Sequence, residues 1–191
     1  TFSGYLSGEN NTSGSFNTFY GYLDGNSNTT ASTNTFIGNE AGENTVAAWN
    51  NTFVGQRAGE ENITGVDNTV VGWAAGDDLT GSYNTYIGSD IGEATADTGD
   101  YNVFIGADAG TGRGDYCIMV CADAGSSENG SNKLYIEPTN SATPLIYGDL
   151  TADSLAVIGT LSCNSIYTQK AAAWADYGFN EGYDLLPFSD E

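Results

Sequence analysis

Acidic side chains recur at a fixed spacing in this sequence and are its best candidates for metal binding. Glu43, Glu60 and Asp77 follow one another at intervals of 17 residues, and Glu61 and Asp78 stand directly after the last two. Clustered carboxylate oxygens are the ligands that Ca²⁺ prefers. If successive 17-residue units stack, the five carboxylates come together and predict a calcium site. The alternative is a solvated acidic face that keeps the protein soluble.

The composition excludes most other chemistry. Acidic residues number 25 and basic residues 4, which gives a net charge of -21, and there is no His. Without His there is no Ser-His-Asp triad and no His zinc site, and we predict that the protein is not an enzyme. Four basic residues cannot neutralise a phosphate backbone, which excludes nucleic acid as a direct partner. No apolar run reaches the roughly 18 residues of a membrane span, so no membrane insertion is expected.

A repeated block sets the spacing of the acids. The block reads Asn-Thr, two apolar residues, Gly, any two residues and Ala-Gly, as in residues 34–42 and 51–59. Its central position falls at 4, 21, 38, 55, 72, 88, 106 and 121, so the steps are 17, 17, 17, 17, 16, 18 and 15 residues. Eight copies in this register indicate a repeat architecture.

Each copy supplies one short strand and little else that could form a core. Aromatic and β-branched residues favour the strand, and the Gly and Ala-Gly positions suit turns at positive φ. A single strand cannot bury its own apolar face, so the units must stack. The sequence therefore predicts an all-β chain, a parallel β-solenoid or β-roll of about eight 17-residue coils, over residues 1–131. A β-rich closing unit at 132–168 and a terminal link at 169–191 would follow.

Two adjacent apolar columns run along the stacked strands, an aromatic one and one of Ile and Val such as Ile37 and Val54. Successive strand residues point to opposite faces, so one column should fill the coil and the other should need a cover. We predict that the aromatic column is the intersubunit seam of a homotrimer. The alternative is a monomer in which the strand bends at Gly and both columns point inward. The predicted seam residues are Phe19, Phe36, Phe53, Val70, Tyr86 and Phe104.

Two polar columns flank the strand. The Asn column is predicted to form a structural ladder of hydrogen bonds at a corner, because Asn side chains stack and tolerate corner conformations. The Thr column shares a face with Ile and Val and is expected to point inward or lie at a corner. The columns are Asn17, Asn34, Asn51, Asn68, Asn84 and Asn102, and Thr1, Thr18, Thr35, Thr52, Thr69 and Thr85.

The sequence resembles a group of fibrous proteins. Its Asn-Thr repeats resemble the head repeats of trimeric autotransporter adhesins and the repeats of bacterial and phage tail-fibre-like proteins. Residues 132–137 (NKLYIE) and 143–150 (TPLIYGDL) are similar to the closing strand unit of tail-fibre-domain proteins, and residues 174–185 resemble the link that follows it. The resemblance implies a trimeric, extracellular, fibrous protein at a cell or virion surface.

The combined prediction is a structural subunit or shaft segment of an extracellular fibre, filament or adhesin, whose partner is itself. The alternatives are a module that binds a cell-surface glycan or receptor and, behind it, an ice-binding solenoid with a flat Thr array. No cofactor other than calcium is expected. Apolar groups near the end of the sequence are predicted to cover the first coil of a neighbouring subunit and so to build filaments; they include Tyr177, Phe179, Leu185 and Phe188.

Overall fold

The computed structural model describes residues 1–92, 97–110, 114–141 and 143–162. The terminal link and its interface residues Tyr177, Phe179, Leu185 and Phe188 lie outside the described residues, as does the end of the predicted closing unit. Residues Thr1–Thr160 form one compact unit.

The described chain is all β and contains no helix in those ranges. Its strands form one sheet in sequence order, parallel from β1 to β9 and antiparallel from β9 to β11. The predicted parallel β-solenoid of about eight turns is confirmed. The strands are β1 (Phe2–Ser3), β2 (Thr18–Tyr22), β3 (Thr35–Asn39), β4 (Thr52–Gln56), β5 (Thr69–Val71), β6 (Thr85–Ile87), β7 (Val103–Ile105), β8 (Ile118–Val120), β9 (Lys133–Ile136), β10 (Ile146–Asp149) and β11 (Ser154–Val157).

The 17-residue repeat sets the strand register. Phe19 pairs with Phe36, and Phe36 with Phe53, so equivalent residues of successive blocks lie above one another. The columns of the sequence are therefore physical columns. The closing unit continues them, because Leu134 of β9 pairs with Ile118 of β8.

The aromatic column lies inside the solenoid, and the prediction that it forms an intersubunit seam is wrong. Phe19, Phe36 and Phe53 are fully buried within one chain, with ring centroids 4.8 and 4.9 Å apart. A side chain with no exposed surface cannot contact a partner, and a charge placed there would disrupt the core. The same correction applies to Val70, Tyr86 and Phe104.

The outward column is the one of Ile and Val. Ile37, Ile87 and Ile105 are each about two-fifths exposed, so the alternative with both columns inward is also wrong. The large rings fit inside the solenoid because the residues of the Ala-Gly turns that share this core, such as Ala41 and Ala58, are small. This pairing of large with small residues is the sequence signal that identifies the inner column.

Two glycine positions are required by close approach of the backbone. Gly59 has φ 59°, and a Cβ on it would lie 2.5 Å from the Phe53 ring. Gly72 has φ 147°, and a Cβ there would lie 1.7 Å from the carbonyl oxygen of Gly88 in the next coil. A side chain at Gly59 would displace the Phe53 ring of its own coil, and one at Gly72 would force the stacked coils apart.

The predicted Asn ladder is present, and its bonds join side chain to backbone. The Asn34 N–H donates to Asn17 Oδ1 at 2.9 Å, and the Asn51 N–H donates to Asn34 Oδ1 at 2.8 Å. Asn34 Nδ2 donates to the Ala48 carbonyl at 2.7 Å. The left-handed corner residue is the one before each Asn, such as Thr33 with φ 65° and Asn50 with φ 60°, rather than the Asn itself.

Cys117 takes the place of Asn at the top of the ladder. Its N–H donates to Asn102 Oδ1 at 2.8 Å, as the Asn residues below it do. Its thiol lies 3.3 Å from the Gly130 carbonyl, where the Asn amide would donate. The thiol is a weak donor, so the column ends with a weaker bond.

Replacing Asn51 with Ala should strongly destabilise the fold. The change leaves the buried Asn68 N–H, which donates to Asn51 Oδ1 at 2.9 Å, without its partner. The Gly65 carbonyl loses the bond from Asn51 at 2.9 Å and keeps the one from Asn62 Nδ2 at 3.0 Å. We expect a loss of about 1–3 kcal/mol in the free energy of unfolding, measured by denaturant titration. Asn44→Ala is the control, because Asn44 is only partly buried and bonds the Glu61 side chain. Equal losses in the two variants would contradict the ladder.

Candidate functional site

A continuous uncharged surface runs along the outside of the parallel strands. We call it the strand face. Its two columns contain Thr18, Tyr20, Thr35, Ile37, Thr52, Val54, Thr69, Val71, Thr85, Ile87, Val103, Ile105, Ile118 and Val120, all exposed or partly exposed. The Thr residues therefore point outward with Ile and Val, contrary to the expectation that they point inward or lie at a corner.

The strand face has a regular geometry. Rows repeat with the strand separation of about 4.8 Å, and the two columns are two residues apart along each strand, about 6.7 Å. None of its residues carries a charge, in a chain whose net charge is -21. The surface is thus a neutral stripe of hydroxyl and branched apolar groups.

The acidic positions converge, but with a different composition from the one predicted. Carboxylate oxygens of Glu40, Glu43 and Glu60 lie within 4.8 Å of one another. Glu40 was not among the predicted ligands, although it also follows the repeat. Burial, and then the charges of the surrounding glutamates, raise the pKa of Glu43. Among the described residues, these three glutamates are the group of acidic side chains that lie close enough together to hold a cation.

Arg57 occupies part of the predicted calcium site. Its Nε donates to Glu60, and its Nη2 donates to Asp77 at 3.0 Å. Glu61 instead accepts a hydrogen bond from Asn44 Nδ2 at 2.9 Å. The guanidinium therefore neutralises part of the charge for which a metal ion was expected. Asp78 lies beside Asp77, where its charge contributes to raising the pKa of Asp77 after the larger effect of burial.

Three exposed tyrosines form a stacked column that the sequence reasoning missed. Ring centroids are 4.6 Å apart between Tyr83 and Tyr101 and 4.9 Å apart between Tyr101 and Tyr116, with interplanar angles of 0° and 2°. The signal was present, because each tyrosine directly precedes the Asn or Cys of a block. The rings cover one another's faces, which leaves mainly edges for solvent and disfavours stacking on a sugar.

A polar cleft lies where the last coil meets the closing unit. It has a volume of about 310 Å³ and is lined by Gly125, Ser127, Glu128, Tyr135, Asn140 and Ser141. Its polar groups bond one another: the Tyr135 hydroxyl donates to Glu128 at 2.7 Å, and Asn140 Nδ2 donates to Ser127 Oγ at 2.6 Å. The Tyr135 hydroxyl and the Asn140 amide are thus already paired with other groups of the cleft lining.

Asp97 is a fully buried acid in the core, in register with Leu79. Burial raises its pKa to about 8, and the Tyr86 hydroxyl and the Gly99 N–H offset part of that effect. Among the described residues, neither the Tyr86 hydroxyl nor the Asp97 carboxyl has a hydrogen bond of ordinary geometry. The carboxyl is therefore largely protonated at neutral pH. The charges of Asp100 and Asp78 also act to raise its pKa.

No known protein family matches this chain, and searches of curated proteins and of solved structures find no significant match. The part of the chain that the structure describes contains no helix with the length and hydropathy of a membrane crossing.

The calcium prediction can be tested through Arg57. In Arg57→Gln the carboxylates of Glu40, Glu43, Glu60 and Asp77 lose their neutralising cation, so Ca²⁺ should raise the melting temperature of this variant more than that of the wild type. Arg57→Lys keeps the charge and is the matched control. Thermal unfolding followed by circular dichroism, with Ca²⁺ and with chelator, gives the comparison. A melt of Arg57→Gln that Ca²⁺ leaves unchanged would contradict a cation site here.

Asp97 should make stability depend on pH. The folded protein keeps a proton that the unfolded chain, with its ordinary pKa of 3.8, has released. The contribution of this proton to stability is therefore full below the unfolded pKa and is lost as pH rises towards about 8. We expect Asp97→Asn to melt progressively higher than the wild type as pH rises through this range. Asp67→Asn, an exposed change of the same charge, is the control; an equal trend in both variants would exclude Asp97 as the cause.

Proposed function

We propose that this chain is a structural module of an extracellular fibre, filament or adhesin, in which copies associate through the strand face. The observation that carries the proposal is the exposed, uncharged column of Ile and Val beside Thr along the outside of the solenoid. The partner is a second and a third copy of the same chain, at a cell or virion surface.

Charge favours contact through this face. Two copies that each carry a net charge of -21 repel one another wherever acidic surfaces meet. The strand face is a stripe along which copies can approach without facing carboxylates. Burying its branched apolar groups would then provide a favourable hydrophobic contribution.

The shape of the fold suits a shaft. Eight coils at about 4.8 Å form a rod roughly 35–40 Å long, held by main-chain hydrogen bonds between neighbouring coils. The resemblance of the Asn-Thr repeats and of residues 143–150 to trimeric autotransporter adhesins and tail-fibre-like proteins supports a trimer. The proposed interface is the strand face. Its column of Ile and Val is next to the aromatic column that we predicted from the sequence to be the intersubunit seam.

Ice binding is a second candidate, because the Thr column points outward. Thr35, Thr52, Thr69 and Thr85 lie on successive coils beside Ile and Val. A flat array of hydroxyl and methyl groups with a regular spacing can order a layer of water. Tyr20 projects from one end of this surface and interrupts its flatness.

Charges placed on the strand face should dissociate the assembly. We expect the wild type to sediment as a trimer and Ile37→Glu/Ile87→Glu to sediment as a monomer, because burying an unpaired charge is costly. The control is Val46→Glu/Ile63→Glu, which adds the same charge at exposed residues outside the strand face. Analytical ultracentrifugation gives the mass of each.

Three outcomes separate the candidates. A face variant with the wild-type mass, or a control that dissociates equally, would contradict association through the strand face. A wild type that is monomeric at all concentrations would contradict the fibre module. A monomer that depresses the freezing point below the melting point of ice, and loses this activity in the face variant alone, would favour ice binding.

A further inference from the structure

We propose that Tyr83, Tyr101 and Tyr116, here called the tyrosine column, are a site of oxidative cross-linking at which a one-electron oxidant joins neighbouring rings of one chain as dityrosine. The proposal does not depend on the proposed function, because it concerns chemistry within a single chain.

The backbone holds the three rings in register. The N–H groups of Tyr83, Tyr101 and Tyr116 donate to carbonyls of the preceding coil at 2.9, 3.0 and 3.0 Å. All three residues have nearly the same left-handed conformation, with φ 61°, 60° and 57°. Side chains that leave the backbone in the same direction on stacked coils stand above one another. Their rings are therefore neighbours through the fold and not through a chance rotamer.

The rings are close and open to a reagent. Their centroids are separated by 4.6 and 4.9 Å, and the rings are parallel within 2°. Parallel rings related by a step of one coil place equivalent Cε carbons about as far apart as their centroids. The three side chains are 48%, 45% and 52% exposed, so they can tilt towards one another without displacing core residues.

The reaction balances with hydrogen peroxide as the oxidant and a peroxidase as the catalyst. Two phenols each lose one electron and the hydroxyl proton, and the two phenoxyl radicals join through the Cε carbons ortho to their oxygens. The hydrogens on these carbons then move as protons to the oxygens and restore both phenols. Two hydrogen atoms leave the pair, and one hydrogen peroxide is reduced to two water molecules.

The other described tyrosines are less suited to this reaction. Tyr86 is fully buried, and Tyr20 pairs in register with Ser3 and Ile37 rather than with another phenol. Tyr135 and Tyr147 meet edge to face at 81°. Tyr5 and Tyr22 stack at 5.4 Å, farther apart than the rings of the tyrosine column, and form the one alternative pair of parallel phenols among the described residues.

The neighbouring charges agree with this chemistry. Partial desolvation, then Tyr83 and Tyr116, and then the charges of Asp100 and Asp67 raise the pKa of Tyr101. The phenol is therefore protonated at neutral pH, and its proton leaves together with the electron. A bond between Tyr83 and Tyr101, or between Tyr101 and Tyr116, joins two adjacent coils covalently.

The test treats the whole chain with a peroxidase and hydrogen peroxide and maps cross-links by dityrosine fluorescence and peptide mass spectrometry. Every protein in this test, including the reference to which the variants are compared, carries Tyr22→Phe, which removes the alternative pair of Tyr5 and Tyr22. We expect an intrachain dityrosine that contains Tyr101, with a mass loss of two hydrogen atoms and a yield independent of protein concentration.

Tyr101→Phe should abolish most of the dityrosine yield, because Tyr83 and Tyr116 are two coils apart. The variant keeps the ring, so stacking and folding are preserved, and circular dichroism checks this. Tyr20→Phe, which removes another exposed phenol, should leave the yield unchanged. The proposal is overturned if Tyr101→Phe keeps the wild-type yield, if Tyr20→Phe loses as much, or if the cross-links join only different chains.

Discussion

The buried Asn ladder is the constraint on which the rest of the structure depends. Each Asn accepts the N–H of the residue directly before the next strand and donates to a carbonyl near the end of its own coil, as Asn34 does with Asn51 and Ala48. These bonds fix both where a strand begins and how far the chain travels before the next one. Unpaired amides in this interior would be costly, so the register of every other column follows from this one.

The columns divide the chemistry of the chain between its surfaces. Aromatic rings fill the interior, carboxylates gather at the turns around Glu43 and Glu60, and the strand face carries no charge. Because the repeat has a nearly constant length, the residue type at each position of the block recurs in the same place on every coil. One residue type therefore sets the chemistry of a whole surface of the solenoid. In this way a short block specifies an apolar core, an acidic edge and a neutral face together.

The fold was predictable because the repeat interval and the strand-forming pair are explicit in the sequence. The inward direction was not assigned correctly, since both Phe36 and Ile37 are apolar and alternation alone does not say which faces the interior. Asn34 lies two residues before Phe36, so both side chains point to the same side of the strand, and both are buried. The Arg57 bonds could not be predicted, because they depend on side chains three and twenty residues away that meet only when coils stack.

The stacking direction of the coils also determines how the rod responds to force. The main-chain bonds between coils lie along the rod axis, so tension applied to its two ends opens them row by row rather than all at once. Each coil that opens releases 17 residues, which can extend to roughly 56–61 Å in place of one step of about 4.8 Å. A solenoid of this construction lengthens in steps under load and dissipates mechanical work before its covalent chain is stretched.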